Sequence, residues 1–151
     1  MTHRMMNGII KHFGKGIWGP SFEEPYRIVA AFLMDDVQRC VKSCDTYVFA
    51  ALDVESGNQE PHEIGGNGNI VRLMPSWVLI GNIYDEDIKP QIISMDAFVA
   101  ALRYWKSIVK SWDGKSVPVD PPTFTYDDPR PDPPFTEETA ALEFKQTLKH
   151  W

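Results

Sequence analysis

Proline placement limits what this chain can fold into more than any other feature. Seven of its twelve prolines lie between residues 117 and 134. Proline fixes φ and lacks a backbone donor, so this stretch is predicted to be extended and polyproline-like, with little regular structure, over about 115–135. The core then has to come from about residues 20–114, with a short C-terminal helix over 136–150 packed against it. The whole chain, residues 1–151, fits a single domain.

The clearest helical pattern lies between Ser94 and Gly114. Apolar side chains recur there at helical spacing, Ser94 is a favourable N-cap, and Asp96 in the first turn suits the helix dipole. The pattern predicts a helix over about 95–112. Its apolar stripe consists of Phe98, Ala101, Leu102, Trp105, Ile108, Val109 and Trp112.

Two further helices are predicted from capping and periodicity. One runs over about 36–55, with Asp35 or Asp36 as N-cap and Gly57 just past its end. The other is the C-terminal helix, which Thr136 caps. The face expected to dock on the body carries Ala141, Phe144, Leu148 and Trp151.

Several short apolar runs predict strands. Residues 26–33 match a buried strand, 69–74 and 77–83 match a hairpin, and a further strand at about 7–13 is possible. Strands and helices do not alternate one for one. This order favours an α+β fold in which two long amphipathic helices pack on a small, mostly antiparallel sheet.

The glycines of Gly14–Gly19 match G-x-G-x-x-G, the fingerprint of a dinucleotide-binding turn. That turn works only where a strand leads into a helix N-terminus. Here Pro20 and Pro25 bracket five residues that include two glutamates, which leaves no room for the helix and repels phosphate. We therefore expect no nucleotide site. The glycine cluster at 65–69 is predicted to form a turn before the following strand.

The chain shows no pattern of catalytic or metal-ligating residues. Its four histidines are scattered, and no nucleophile motif is present. Cys40 and Cys44 are expected to be two buried thiols. The sequence thus predicts no catalytic, cofactor-binding or metal-binding residues, and a protein that is not an enzyme.

Charge narrows the choice of partners. The formal net charge is −6, which disfavours non-specific binding to nucleic acid or anionic membranes and favours a basic partner. The N-terminus does not resemble a signal peptide, and no apolar run is long enough to span a bilayer. The expected location is the cytoplasm.

Acidic residues in loops are the candidate contacts for a basic partner. Trp18, in its glycine-rich setting, is a candidate exposed anchor, the alternative being that it packs with Phe22 on the body. The proline-rich segment contributes further acids, among them Asp132. The candidate partner-binding residues are Asp85, Glu86, Asp87, Asp120, Asp127, Asp128 and Trp18.

The segment over residues 63–109, roughly a third of the chain, has a recognisable pattern. A Gly-Asn pair leads into a strand, a hairpin follows, and an acidic loop precedes a capped helix. The residues that carry this pattern are Gly68, Asn69, Val78, Leu79, Ile80, Asn82, Tyr84, Asp85, Ser94, Phe98, Leu102 and Trp105. In these residues the chain resembles small immunity proteins of bacterial polymorphic-toxin and contact-dependent growth-inhibition systems.

The resemblance implies a non-catalytic cytoplasmic protein that binds one cognate toxin domain, often a nuclease, and blocks its active site or substrate surface. It assigns no binding residue, because such families vary most where they touch the toxin. Two alternatives stay open: an accessory or structural binding module of phage or secretion machinery, and a small-substrate enzyme.

Overall fold

The protein is described by a computed structural model that covers residues 2–130 and 134–151, and its fold is α+β, as predicted. Seven strands and four α-helices occur in this part of the chain. The strands are β1 (Thr2–Gly14), β2 (Ile17–Phe22), β3 (His62–Gly65), β4 (Asn69–Leu73), β5 (Trp77–Asn82), β6 (Gln91–Ser94) and β7 (Phe124–Arg130). The helices are α1 (Arg27–Phe32), α2 (Val41–Ser56), α3 (Met95–Ser111) and α4 (Glu137–Leu148).

The strands form two antiparallel sheets. One has the order β2-β1-β7 and joins the N-terminal hairpin to a strand from the proline-rich segment; the other has the order β3-β4-β5-β6. The predicted hairpin over 69–74 and 77–83 is confirmed as β4 and β5, with Val71 opposite Ile80. The possible strand at 7–13 is part of the longer β1.

The expectation of little regular structure over 115–135 is wrong for β7. This strand pairs with β1, with Tyr126 opposite Met6 and Phe124 opposite Gly8. Its side chains alternate, so Phe124 and Asp128 are buried while Asp127 is exposed. Proline is tolerated here because β7 is an edge strand. Asp132 lies outside the described residues.

The strand predicted over 26–33 is also wrong, because this run forms α1 and the π-helical turn Leu33–Val37 that follows it. Ile28, Val29 and Phe32 are buried. Their spacing is that of one helix face. The apolar run is too short, however, for its periodicity to distinguish a buried helix from a buried strand.

Helix α2 begins later than predicted. Asp35 and Asp36 lie in the π-helical turn and do not cap it; Cys40 occupies the N-cap position without a side-chain hydrogen bond. Gly57 ends the helix as expected, in the left-handed conformation at φ 83°. The capping role of the acid pair was therefore a wrong prediction, and the pair is free for other contacts.

The helix predicted over 95–112 is confirmed as α3. The Ser94 hydroxyl oxygen accepts a hydrogen bond from the Ala97 N–H at 3.1 Å, as an N-cap should. Phe98, Leu102 and Trp105 are buried in the main core between α3, the first two helices and the sheets. Helix α3 therefore contributes a large part of the main core.

A second, smaller core lies on the other side of the four-stranded sheet, under α4. The Thr136 hydroxyl oxygen accepts from the Thr139 N–H at 3.0 Å, which confirms the predicted cap. Phe144 packs flat on Gly81 of β5, where an added Cβ would lie 2.2 Å from the ring. The apolar members of this core are Ile70, Leu79, Ile92, Phe135, Ala140 and Phe144.

The docking face of α4 differs from the predicted one. Ala140, Phe144 and Thr147 are buried. Of the predicted face only Phe144 is buried. The exposed members are Ala141, Leu148 and Trp151. Placing Phe144 over Gly81 and Thr147 over β3 turns the helix so that Ala141 and Leu148 face solvent, whereas the partly exposed Trp151 ring lies against Gly65 of β3.

Glu63 on β3 fastens the C-terminal end of α4. One carboxylate oxygen accepts from Trp151 Nε1 at 3.1 Å and lies 2.9 Å from His150 Nε2. The other accepts from the Thr147 hydroxyl at 2.8 Å and from Arg72 Nε at 3.2 Å. Burial raises the pKa of Glu63, but these hydrogen bonds outweigh burial and lower the pKa to about 2. No helix among the described residues is long and apolar enough to cross a membrane.

Candidate functional site

The loop between β5 and β6 is held in a defined shape by Asn82. Its side-chain amide Nδ2 donates to Asn69 Oδ1 at 2.9 Å, which ties the loop to the start of β4. Its Oδ1 accepts from the backbone N–H groups of Tyr84 (2.9 Å) and Asp85 (2.7 Å). An asparagine that bonds the backbone two and three residues ahead pre-forms the turn.

The loop presents an aromatic side chain among acids. Tyr84 is 78% exposed, and Asp85, Glu86 and Asp87 that follow it are all exposed. Asp85 Oδ1 accepts from the Asp87 N–H at 2.9 Å, and the Asp85 carbonyl accepts from the Ile88 N–H at 3.2 Å. The predicted acidic loop is thus on the surface, and its role in binding stays a prediction.

A second acidic pair reaches the same place from the π-helical turn. Asp36 Oδ1 accepts from the Gly68 N–H at 2.9 Å. Gly66 permits this approach, because an added Cβ there would lie 2.5 Å from the Asp36 carboxyl carbon. The Asp35 carboxyl is exposed beside Gly68. The sequence predicts a helix cap for this pair, because its contact with the glycine loop is long-range and leaves no local signal.

Together these segments line an open depression of about 540 Å³. We call it the acidic depression and define it by Asp35, Asn67, Gly68, Asn82, Tyr84 and Asp85. Partial burial and the neighbouring charge of Asp36 raise the pKa of Asp35, against an opposing effect of the Asn69 side chain. Both causes of the rise disfavour the ionised form of the Asp35 carboxyl.

Trp18 does not belong to this site, and its prediction as an exposed anchor is wrong. It is 1% exposed. Its ring lies 5.7 Å from the Trp105 ring and 5.2 Å from the Trp112 ring. The Arg39 guanidinium stacks 4.1 Å from the Trp18 ring centre and donates to the Trp18 carbonyl at 2.7 Å. The alternative interpretation, packing on the body, is the correct one.

Asp128 is also a wrong candidate for partner binding, because it is 0% exposed. It accepts from the Tyr26 hydroxyl at 3.2 Å and from the Ser94 N–H at 3.1 Å, and so ties β7 to α1 and to the start of α3. Asp120 and Asp127 are exposed, as partner contacts would have to be, but neither lines the acidic depression.

The glycine fingerprint forms the turn of the β1–β2 hairpin. Gly14, Lys15 and Gly16 all have positive φ, at 94°, 54° and 77°. The segment joins two antiparallel strands, so no helix N-terminus follows it. Trp18 and Phe22 behind the turn are both buried.

The two cysteines and the possible metal ligands do not form a second candidate site among the described residues. Cys44 is buried, but Cys40 is exposed, which corrects the expectation of two buried thiols. Cys40 occupies the N-cap position of α2, in an extended backbone conformation just before the first helical residue. Within residues 2–130 and 134–151, no group of three or more histidine, cysteine, aspartate or glutamate side chains could hold a metal ion.

Comparisons with protein-family models, with curated proteins and with solved structures give no significant match to this chain.

Proposed function

We propose that this chain is an immunity protein that binds and neutralises a cognate bacterial toxin domain in the cytoplasm of the producing cell. The toxin domain is a basic one of the nuclease type, and the acidic depression with the loop after β5 is the contact surface. The observation that carries the proposal is Tyr84, which is 78% exposed on a loop fixed by hydrogen bonds to Asn82, with Asp85, Glu86 and Asp87 following it and Asp35 lining the same depression.

An exposed tyrosine on a fixed backbone supplies contact area at low entropic cost. Aromatic side chains are enriched among the residues that contribute most to protein–protein binding. A solvated tyrosine without such a role would leave apolar surface in water. Tyr84 therefore supports a protein partner rather than a small ligand.

The acids around Tyr84 supply electrostatic complementarity. A nuclease surface is basic because it binds phosphates, so carboxylates occupy the positions that phosphates would take. The net charge of −6 adds long-range steering, which raises the association rate at low salt. Blocking the phosphate-binding surface is sufficient for neutralisation, and the proposal requires no catalytic residue or cofactor.

The residues that carry the resemblance support the loop. The Asn82 side chain donates to the Asn69 side chain, and the Gly68 carbonyl accepts from the Ile83 N–H at 2.8 Å. Ser94 caps α3 and Trp105 lies within it, and α3 is one of the two long amphipathic helices of the proposed scaffold. In this proposal the scaffold is the shared part, and the loop side chains select the toxin.

The proposal predicts that the gene immediately upstream encodes a large toxin with a variable C-terminal domain, and the test is co-expression with that domain. The wild-type chain should restore growth and form a complex that survives size-exclusion chromatography. The double variant Glu86→Lys/Asp87→Lys should bind more weakly, whereas the control Asp53→Lys/Glu55→Lys on α2, which reverses two acids that are also exposed, should not. Neither protection nor a complex with wild type would overturn the proposal.

A further inference from the structure

A second depression lies beside the acidic one and is mostly apolar. Its volume is about 390 Å³, and it shares Met34 and Ile88 with the acidic depression. Its other apolar lining includes Phe13, Ala30 and Ala31. The two depressions therefore adjoin at Met34 and Ile88, and we call the pair the groove, with an apolar end and an acidic end.

Three local backbone features position Phe13, Met34 and Ile88 at the apolar end of the groove. Phe13 lies where the register of β1 against β2 shifts, and it has no partner in that ladder. Phe13 is 54% exposed. Gly19 leaves room for Met34, since an added Cβ would lie 2.8 Å from the Met34 sulfur. Ile88 is held one turn from Asp85 by its backbone hydrogen bond of 3.2 Å.

Charge differs between the two ends. Lys11 Nζ lies 5.8 Å from the Phe13 ring centre, and Glu24 and Arg27 line the same end with opposite charges. Asp35 and Asp85 line the other end. A cationic side chain is therefore favoured at the acidic end and not beside Lys11, which gives a bound segment one orientation.

We propose that this groove receives a single segment of the toxin domain, whose apolar side chain enters between Phe13, Met34 and Ile88 and whose arginine or lysine pairs with Asp35 and Asp85. This proposal rests on the proposed function and adds the chemistry and direction of the bound segment. The raised pKa of Asp35 agrees with it, because a cation beside this carboxyl favours its ionised form.

The affinity test uses the full chain and the toxin domain encoded by the neighbouring gene, with Kd measured by calorimetry at 50 and 300 mM NaCl. Phe13→Ser should weaken binding at least about tenfold at both salt concentrations, because its contribution is apolar. Asp35→Asn should weaken binding about tenfold at low salt and less at high salt, because salt screens its contribution.

Matched controls exclude general effects of the substitutions. Phe49, on α2, is 65% exposed and lies outside the groove, so Phe49→Ser should stay within twofold of wild type. Asp53→Asn, on the same helix, is the control for Asp35→Asn. Unchanged circular dichroism spectra and melting temperatures would show that the variants are folded.

A crosslink identifies the bound segment. Cys40 is exposed and lines a neighbouring depression with Met34 and Gln38, so a benzophenone attached to it lies next to the groove. The expected product is one toxin peptide with an apolar residue close to an arginine or lysine. A crosslinked peptide without a basic residue overturns the inference.

The outcomes separate the two proposals. If wild type binds and protects but Phe13→Ser stays within twofold, the groove proposal is overturned and the proposed function stands. If wild type neither binds nor protects, both are overturned. Loss of affinity in Phe13→Ser and Asp35→Asn, with both controls unchanged, supports both.

Discussion

The contact between Gly81 and Phe144 is expected to control whether α4 stays docked on the four-stranded sheet. A Cβ on Gly81 would lie 2.2, 2.3 and 2.4 Å from three atoms of the Phe144 ring. Ordinary contact begins at 3.4 Å, so Gly81→Ala forces the ring to recede by about 1.2 Å. The ring has little other space, because Phe144 is buried among the side chains of the second core.

The expected magnitudes follow from packing. Gly81→Ala overpacks this core and should lower the free energy of unfolding by about 1–3 kcal/mol. Phe144→Ala leaves a cavity and should lower it by about 3–5 kcal/mol. In the double variant the new methyl group enters the space that the ring leaves. The double variant should therefore be no less stable than Phe144→Ala alone.

Urea unfolding followed by circular dichroism at 222 nm measures this coupling as a double-mutant cycle. The expected interaction free energy has the size of the Gly81→Ala effect, about 1–3 kcal/mol, and the sign of a rescue. If the two single losses add to within about 0.5 kcal/mol, the packing of α4 on Gly81 is not as described.

Three further predictions concern Glu63, the thiols and Arg39. Because the pKa of Glu63 is lowered from 4.5 to about 2, its stabilisation is complete above pH 4.5 and is lost as pH falls towards 2. Unfolding curves of Glu63→Gln should thus approach wild type over that range, and a constant difference would contradict the prediction. Burial first, then the charges of Asp45 and Cys40, raise the pKa of the Cys44 thiol to about 11, so iodoacetamide at pH 8 should alkylate Cys40 alone. Mass spectrometry that finds two adducts on the folded chain would show that Cys44 is accessible. Arg39→Ala removes the stacking on Trp18 and the hydrogen bond to its carbonyl, and should lower the free energy of unfolding by about 1–3 kcal/mol. Arg39→Lys should lose less, and equal stability of Arg39→Ala and wild type in urea would rule out this role.

Elements whose signals are local could be predicted from the sequence. Helix α3 has a long apolar stripe, a side-chain cap and no competing pattern, and it is present at nearly the expected bounds. The β4–β5 hairpin and the αL residue Gly57 were likewise predicted from nearby residues. In each case propensity, capping and periodicity agree.

The failures occur where tertiary contacts decide. The run YRIVAAFL is apolar enough for either a strand or a helix, and packing selected the helix. Proline content hid the alternation of Phe124, Tyr126 and Asp128 that places β7 against β1. Trp18 became core only through Trp105, Trp112 and Arg39, which are distant in sequence.

Part of the candidate site can be predicted from the sequence. The acidic loop at 85–87 is visible in the sequence, and Tyr84 stands next to it. The contribution of Asp35 depends on a contact between the π-helical turn and the glycine loop, 32 residues apart. The burial of Asp128 could not be predicted in the same way. Its charge is visible in the sequence, but its burial depends on the strand β7, which the proline content obscures.

The affinity of Tyr84→Ala for the neighbouring toxin domain, relative to wild type, tests the binding surface with a single side chain. Tyr84 makes its backbone contact through the N–H, which alanine keeps, so the loop should hold its shape. A central aromatic anchor is expected to contribute at least about 2 kcal/mol, which is a loss of about thirtyfold in Kd. Phe49→Ala, which removes an exposed ring from α2, is the control. A thirtyfold loss for Tyr84→Ala, with the control unchanged, is the predicted result. A Kd within twofold of wild type would contradict the assignment of the acidic depression as the toxin-binding surface.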